Sequence, residues 1–209
     1  KLNKVTIIQC NEKRVQCFQD NFLIYRWNPS HEFYDNLIWV KKDIKTAIIP
    51  SFIKIIRYSA FFKCSLLTSI SIPSSVTSIG SFTFFNCSLL TQILIASSVK
   101  SIGSNAFASC SSLKQIVIPS SVKTIGDEIF ASCTSLCQVT FEVPSSLTSI
   151  GIRSFFNCQS LTEISIPSSV RSIGLDAFQN CSSLIQVSIP SSINSNNLGI
   201  PPSSKIIKI

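Results

Sequence analysis

The sequence contains no methionine, only one histidine (His31), and only 13% charged residues among its 209. An enzyme needs acids, bases or nucleophiles gathered at one place, and a zinc site needs histidines or closely spaced cysteines. The chain has no second histidine, no CxxC pair and no GxxxxGK[ST] phosphate-binding loop. These absences argue against a zinc protein, a P-loop nucleotide-binding protein and a histidine-based enzyme, and no cofactor is predicted.

Long hydrophobic runs are also missing. Apolar residues make up 45% of the chain, but they occur in runs well below the ~18 residues that a membrane-spanning helix requires. No signal peptide or membrane anchor is recognisable. Because the chain begins at Lys1, we expect a fragment or a processed product, so missing targeting signals are weak evidence about location.

The feature that is present throughout is an internal repeat. It is marked by prolines, with one alanine among them: Pro50, Pro73, Ala96, Pro119, Pro144, Pro167 and Pro190. The steps between these markers are 23, 23, 23, 25, 23 and 23 residues. A fixed period of this size indicates a solenoid of stacked repeats. We assign a solenoid to residues 44–193, with six clear repeats at 51–190, a cap or eroded repeats at 1–43, and a degenerate repeat or cap at 194–209.

Each repeat has the same predicted local structure. The pattern Leu-x-x-Ile-x-Ile, as in residues 161–166, alternates like a half-buried strand, and the proline then ends that strand. Ser-Ser-Val-x-Ser-Ile predicts a second extended piece, and the following glycine a tight or left-handed turn. Ala-Phe-x-x-Cys is too short for an independent helix and predicts one helical turn. The two extra residues of the fourth repeat predict a bulge around 141–143.

Two residue types keep one phase of the repeat and therefore predict core columns. The first column is aromatic: Phe61, Phe84, Phe107, Phe130, Phe155 and Phe178. The second column holds thiols: Cys64, Cys87, Cys110, Cys133, Cys158 and Cys181. A cysteine that recurs at one phase behaves as a small buried hydrophobe. We therefore expect a stack of rings beside reduced, buried thiols, and no disulfides among these six.

The two ends depart from the repeat. Asp20–Arg26 and Asp35–Lys41 each open with a turn-forming Asp-Asn pair and continue as a strand-like run. Residues 28–31 between them predict a turn. Both tryptophans and two of the three tyrosines lie in residues 1–43, where large rings suit a lid on the last core layer. At the other end, residues 205–209 predict one last strand.

The repeat resembles a known family. Residues 95–113, with Ala96 in the proline position, follow Ile-Pro-Ser-Ser-Val-x-Ser-Ile-Gly-x-x-Ala-Phe-x-x-Cys-x-Ser-Leu, which is similar to the BspA-like leucine-rich repeat. The resemblance covers roughly residues 35–193. It implies a right-handed, mainly β solenoid with short helical turns and a parallel concave sheet. Members occur on surfaces of bacteria and of parasitic protists such as trichomonads, where they are linked to adhesion and host-protein binding.

One candidate site lies on the predicted concave strand face. Outward positions of successive strands carry one column of mostly amide side chains: Gln92, Gln115, Gln138, Glu163 and Gln186. Leu94 and Val117 lie beside this column as an exposed apolar pair. The amides either hydrogen-bond to one another as a structural ladder or form a polar platform for a ligand, and the sequence leaves both interpretations open.

A second candidate is a basic stripe on the following turn. It consists of Lys54, Lys100, Lys123 and Arg171, on a chain whose net charge is +8. Such a stripe attracts acidic partners, for example a sulfated glycan or an acidic protein surface, or it is a solvated face. Nucleic acid is a weaker candidate because no interleaved aromatics or reading motif accompany the charges.

The sequence therefore predicts a non-enzymatic protein-interaction module. The repeats' acids lie on different turns and the resemblance supplies no catalytic residues, which both argue against catalysis. From the resemblance we expect a cell-surface or extracellular protein whose partner is a protein, such as host extracellular matrix or another structural protein. The alternative is a cytoplasmic or cytoskeletal scaffold that uses the same solenoid for assembly, which unpaired thiols and the missing signal peptide favour.

Overall fold

The computed structural model describes residues 5–10, 13–18, 23–27, 34–40 and 42–209. Side chains are described for Val40 and for residues 42–209. Within these ranges, residues 42–209 form a solenoid of about seven turns built from parallel strands. This confirms the predicted solenoid with a leucine-rich-repeat fold. None of the described residues lies in a helix, so the helical turn expected in each repeat is wrong.

An antiparallel meander precedes the repeats. Its strands are β1 (Val5–Cys10), β2 (Lys13–Phe18), β3 (Leu23–Trp27) and β4 (Tyr34–Val40), each paired antiparallel with the next. The strand-like runs at 20–26 and 35–41 are confirmed as β3 and β4. The predicted turn at 28–31 and the aromatic lid lie outside the described residues, and the boundary at residue 43 stays a prediction.

The remaining strands are listed in chain order. They are β5 (Thr46–Ile48), β6 (Ile55–Ile56), β7 (Ser69–Ile72), β8 (Ser78–Ile79), β9 (Gln92–Ile95), β10 (Ser101–Ile102), β11 (Gln115–Ile118), β12 (Thr124–Ile125), β13 (Gln138–Phe141), β14 (Ser149–Ile150), β15 (Glu163–Ser165), β16 (Ser172–Ile173), β17 (Gln186–Ile189) and β18 (Lys205–Lys208). The two extended pieces predicted for each repeat are confirmed, as is the last strand, β18.

The two strand types form different sheets. The short, even-numbered strands from β6 to β16 pair in parallel, one after another, starting from β4. Together with the meander they form a ten-stranded sheet. The odd-numbered strands from β5, together with β18, form what we call the long-strand face. Hydrogen bonding divides this face into three sheets, β5-β7-β9, β11-β13 and β15-β17-β18. In the described chain no strand pairing joins β9 to β11 or β13 to β15.

The segment after each glycine is a chain of tight turns. The amides of Ser59, Phe61 and Lys63 donate to the carbonyls of Ser81, Thr83 and Phe85 in the next repeat, at 3.0, 2.9 and 2.8 Å. Two residues of each segment have positive φ, and none of them is glycine: Ser59, Lys63, Phe82, Asn86, Asn105, Ser109, Glu128, Ser132, Arg153, Asn157, Asp176 and Asn180. Alternate amides thus point along the solenoid axis, which excludes the helix that the sequence suggested.

The repeat glycines are needed for close packing. A Cβ built on Gly174 would lie 2.4 Å from the amide nitrogen of Ile152, and one on Gly80 would lie 2.6 Å from that of Tyr58. Only Gly199 among the six glycines has a positive φ. Of the tight or left-handed turn expected at the repeat glycines, the left-handed alternative is therefore wrong. Glycine is needed there because the backbone of the preceding repeat passes too close for a side chain.

The core columns are confirmed. The six phenylalanines of the inner column are fully buried, and neighbouring rings stack with centroids 4.9, 5.4, 5.6, 5.6 and 5.4 Å apart. The six cysteines of the second column are fully buried, and no disulfide joins any two of them. These columns run the length of the repeats and hold the outward strand residues in register.

The insertion of the fourth repeat lies where the sequence placed it. Strand β13 stays in register with β11 up to the pair Ile118 and Phe141, and the extra residues follow. Val143 is 85% exposed, while the Glu142 carboxylate accepts a hydrogen bond from the Ser120 amide at 3.1 Å. The extra length is thus accommodated outside the core, at the exit of the strand.

Candidate interaction surface on the long-strand face

The amide column projects outward from the long-strand face because side chains alternate along each strand. In β11, Gln115 and Val117 are exposed while Ile116 and Ile118 are buried. The same alternation exposes Gln92, Gln138 and Glu163, whereas Gln186 is half-buried. The structure therefore presents four of the five residues of the amide column as exposed side chains.

The breaks between sheets divide this column into blocks. Gln115 lies opposite Gln138, and Glu163 lies opposite Gln186, which in turn faces Lys205 on β18. Gln92 lies opposite Ser69 rather than in hydrogen-bonded register with Gln115. The column is therefore interrupted where the strand pairing is interrupted.

The four glutamine side chains have no hydrogen-bond partners within residues 42–209: Gln92, Gln115, Gln138 and Gln186. The described chain thus contains no amide ladder of the kind that one interpretation of the sequence required. An amide carries two donors and an acceptor with two lone pairs. These groups are available to a partner.

An apolar column flanks the amides. Leu94 is 70% exposed and Val117 is 47% exposed, as expected, but they lie on strands that are not paired with each other. Ile48, 76% exposed, belongs to the same column through its pairing with Ser71. Sequence analysis missed Ile48 because the repeats were counted from residue 51. The signal was present, since Thr46-Ala47-Ile48 has the strand's alternation.

The break between β13 and β15 opens into a pocket of about 860 Å³. Its polar lining comes from the outward columns of three strands: Gln138, Thr140, Glu163, Ser165, Gln186 and Ser188. The exposed side chains of Val143 and Ile209 also line it. The pocket combines amides, hydroxyls and one carboxylate with apolar side chains, so it can both hydrogen-bond to a partner and pack against its apolar groups.

The basic stripe follows the valine that precedes each short strand. Lys54, Lys100, Lys123 and Arg171 are all exposed. The amide of Lys123 donates to the carbonyl of Lys100 at 3.2 Å, so these two are backbone neighbours. Thr77 and Thr148 take the same position in the second and fifth repeats. The stripe therefore consists of one basic pair and two separate charges.

The carboxylates of the repeats do not form a reactive cluster. Asp127 accepts a hydrogen bond from the Ile152 amide at 2.8 Å, and Asp176 lies 3.6 Å from the guanidinium of Arg153. Over the described ranges, no group of three or more histidine, cysteine, aspartate or glutamate side chains could hold a metal ion. Nor does the described structure contain a helix of the length and apolarity needed to cross a bilayer.

The six buried thiols of the second core column are in an environment that makes them unreactive. The Cys133 thiol donates to the carbonyl of Phe107 at 3.1 Å, and the Cys181 thiol to that of Phe155 at 3.0 Å. Burial raises the pKa of each of these two thiols to about 12, because a thiolate would lose its hydration. Cys137 differs, since it is exposed at the rim of the 860 Å³ pocket.

A family model and several solved structures match this chain. The model is described as "BspA type Leucine rich repeat region" and matches residues 34–143 and 137–200, with six copies. No curated protein sequence matches the chain. The matched residues span the meander's last strand and all the repeats.

Three of the similar solved structures come from bacteria. A leucine-rich repeat protein of Eubacterium ventriosum is 26% identical, with a TM-score of 0.66 over 91% of this chain and 55% of that one. A T. pallidum leucine-rich repeat protein is 25% identical, with a TM-score of 0.60 over 90% of this chain and 79% of that one. A leucine-rich cell surface protein of Faecalibacterium prausnitzii is 25% identical, with a TM-score of 0.58 over 93% of this chain and 58% of that one. The chain thus spans little more than half of two of these proteins.

Proposed function

This chain belongs to the family of BspA-type leucine-rich repeat proteins, and from this premise we propose that it binds a protein partner through its long-strand face. Leucine-rich repeat proteins are generally non-enzymatic interaction modules. The observation that carries the proposal is the set of outward glutamines without hydrogen-bond partners in the described chain. The contact residues we propose are Gln92, Leu94, Gln115, Val117, Gln138, Glu163 and Gln186.

The proposed biological role is adhesion at a cell surface, with a host extracellular-matrix protein as the partner. One similar solved structure is described as a cell surface protein, which supports this role. The alternative is an intracellular scaffold that uses the same face for assembly. The six buried thiols, no two of which form a disulfide, favour that alternative, because secreted domains more often contain disulfides.

Binding of the purified chain to a panel of immobilised matrix proteins tests the proposal. The chain is compared with a Gln115→Arg, Val117→Arg double variant, which places two bulky charges on β11. We expect this variant to lose binding, because an arginine at each outward position displaces the partner's apolar and hydrogen-bonded contacts. Thermal unfolding at the same temperature as the unsubstituted chain shows that the fold is retained.

The matched control is a Lys100→Glu, Lys123→Glu variant, which reverses the charge of the basic pair. It should bind as the unsubstituted chain does, and binding should depend little on salt, because the proposed contacts are mostly amides and apolar side chains. Binding through the basic stripe would instead weaken as salt rises, because exposed charges are screened beyond ~8 Å at physiological ionic strength. Loss of binding in the lysine variant, with the β11 variant unaffected, would place the site on the basic stripe. Binding to none of the matrix proteins would contradict the adhesion role.

A further inference from the structure

A second column of rings lies on the outside of the turn segments, one residue after each buried phenylalanine. Its members are Phe62, Phe85, Ala108, Ala131, Phe156 and Gln179. The rings of Phe62 and Phe85 stack with centroids 5.2 Å apart and planes inclined by 10°. Two alanines follow, and the ring of Phe156 comes after them. An outer stack therefore begins, is interrupted over two repeats, and resumes.

A pocket of about 250 Å³ lies at this interruption. Phe85 and Phe156 line its two ends, and Ala108 and Ala131 line it between them. These alanines are 2% and 9% exposed, as expected for residues at the bottom of a pocket. A cavity of about 150 Å³ lined by apolar side chains is sufficient to bind benzene. This pocket therefore has room for one aromatic side chain.

Polar groups line the two sides of the pocket: Asn105, Ser109, Glu128, Ser132 and Arg153. The arginine is already engaged, since it pairs with Asp176 at 3.6 Å and lies 5.7 Å from the ring centroid of Phe156. The half-buried Glu128 carboxylate has neither an ion pair nor a hydrogen bond among residues 42–209. A carboxylate only accepts hydrogen bonds, so the Glu128 carboxylate is available to accept one from a donor on a partner.

We infer that this pocket binds an aromatic side chain with a ring donor, tyrosine or tryptophan, exposed on a partner polypeptide. The ring fills one of the two positions at which the outer stack is interrupted, over Ala108 or Ala131, and its O–H or N–H donates to the Glu128 carboxylate. Aromatic pairs of this kind prefer centroids about 4.5–7 Å apart, which the existing stack already shows. A cationic side chain fits less well, because the Arg153 guanidinium lines the pocket and the chain carries a net charge of +8. The site is separate from the long-strand face.

Methyl NMR of the chain with labelled alanines tests the inference directly. The probes are peptides of sequence Gly-Ser-Ser-X-Ser-Ser-Gly, in which X is Trp, Tyr, Phe, Leu or Lys. We expect saturable shifts of the Ala108 and Ala131 methyl signals with Trp and Tyr, weaker binding with Phe, and none with Leu or Lys. Ring currents make these two methyls sensitive reporters of an inserted ring.

Two variants sharpen the test. Ala131→Phe supplies a ring from the chain itself and should abolish the shifts of the Ala108 methyl. Glu128→Gln should weaken Trp and Tyr binding roughly tenfold, because it removes a charged acceptor, while leaving Phe binding unchanged. If Ala131→Phe does not fold, the Glu128→Gln comparison decides alone. The Gln115→Arg, Val117→Arg variant should bind these peptides normally, which separates this site from the long-strand face.

Two results would overturn the inference. One is the absence of any shift at either alanine methyl with millimolar Trp or Tyr peptide. The other is equal binding of the Lys peptide, which would identify a cation pocket formed by Glu128 and the rings.

Discussion

At the scale of single residues, the cysteines combine two roles. Their recurrence at one phase of the repeat predicted burial, because a position that always points inward must hold a small apolar group. The hydrogen bond was not predictable. In the buried column, each thiol from Cys87 onward donates to the carbonyl of a phenylalanine in the preceding repeat, as Cys110 does to Phe84 at 3.1 Å. That carbonyl is exposed to the thiol only because the turn segment is not helical.

Thiol labelling distinguishes these residues from Cys137. In the native chain at pH 8, we expect iodoacetamide to modify the exposed Cys137 and none of the six buried thiols. Raising the pH to 10 should not change this, because the pKa of Cys133 and of Cys181 lies at about 12 and the thiolate is the reactive species. Peptide mapping by mass spectrometry identifies the modified sites.

Labelling after denaturation supplies the positive control, since all six should then react. A Cys137→Ala variant should remove the native signal from residues 42–209. Rapid modification of any of the six in the folded chain, or a disulfide between two of them, would contradict the buried column.

The residues with positive φ show the limit of predicting backbone conformation from the propensity of a single residue. Asparagine, aspartate and serine at positive φ fit their known tolerance of that region, so Asn105 and Asp176 were accessible to sequence reasoning. Phe82, Glu128 and Arg153 have φ of 57°, 53° and 51° and were not. Their backbone conformation is imposed by the hydrogen bonds between repeats, which no local pattern reveals.

At the scale of the element, the inner ring stack contains the largest fully buried side chains of the repeats. Phe107 lies in its middle, with rings on both sides at 5.4 and 5.6 Å, and it is fully buried. We expect Phe107→Ala to lower the free energy of unfolding by about 3–5 kcal/mol, as buried phenylalanines generally do. Urea unfolding followed by circular dichroism measures this.

Phe62→Ala is the matched control, because it removes a half-buried ring from the outer column of the same segment type. It should cost clearly less. Equal losses in the two variants would mean that the inner stack contributes no more than surface packing does.

The candidate sites were only partly predictable at this scale. The strand alternation was enough to place Gln115 and Val117 outward. The breaks on either side of the β11-β13 pair, and the pocket of 860 Å³ at one of them, depend on the spacing between strands. The sequence did contain a signal for the pocket of 250 Å³, which sequence reasoning did not use. In the outer column, the two alanines Ala108 and Ala131 stand between Phe85 and Phe156.

At the scale of the whole molecule, the period predicted the architecture because every repeat has the same core requirement. Partner chemistry does not repeat in this way. The outward columns vary from turn to turn, so a partner recognises a combination of side chains that no single repeat contains. Sequence reasoning therefore predicted the solenoid and its candidate faces, whereas the ligand depends on differences between repeats.

Because of the two breaks in the long-strand face, strand β11 is hydrogen-bonded to a neighbouring strand on its β13 side and not on its β9 side. Carbonyls of Lys114 and Ile118 accept hydrogen bonds from β13, so Gln115 and Val117, which alternate with them, direct their amides toward β9. We expect these two amides to exchange with deuterium faster than those of Gln138 and Glu142, which donate to β11 at 3.2 and 3.0 Å. Equal protection in an NMR exchange experiment would contradict the break.

The mechanical consequence follows from comparing the two sides. The short strands form an unbroken sheet along the whole array, whereas the long strands form blocks of three, two and three. A solenoid whose sheet is continuous on one side and divided on the other bends most easily at the breaks between the divided sheets, here called joints, which open or close as it bends. A partner that contacts both Gln92 and Gln115 spans such a joint, so binding there would stiffen the solenoid like a splint.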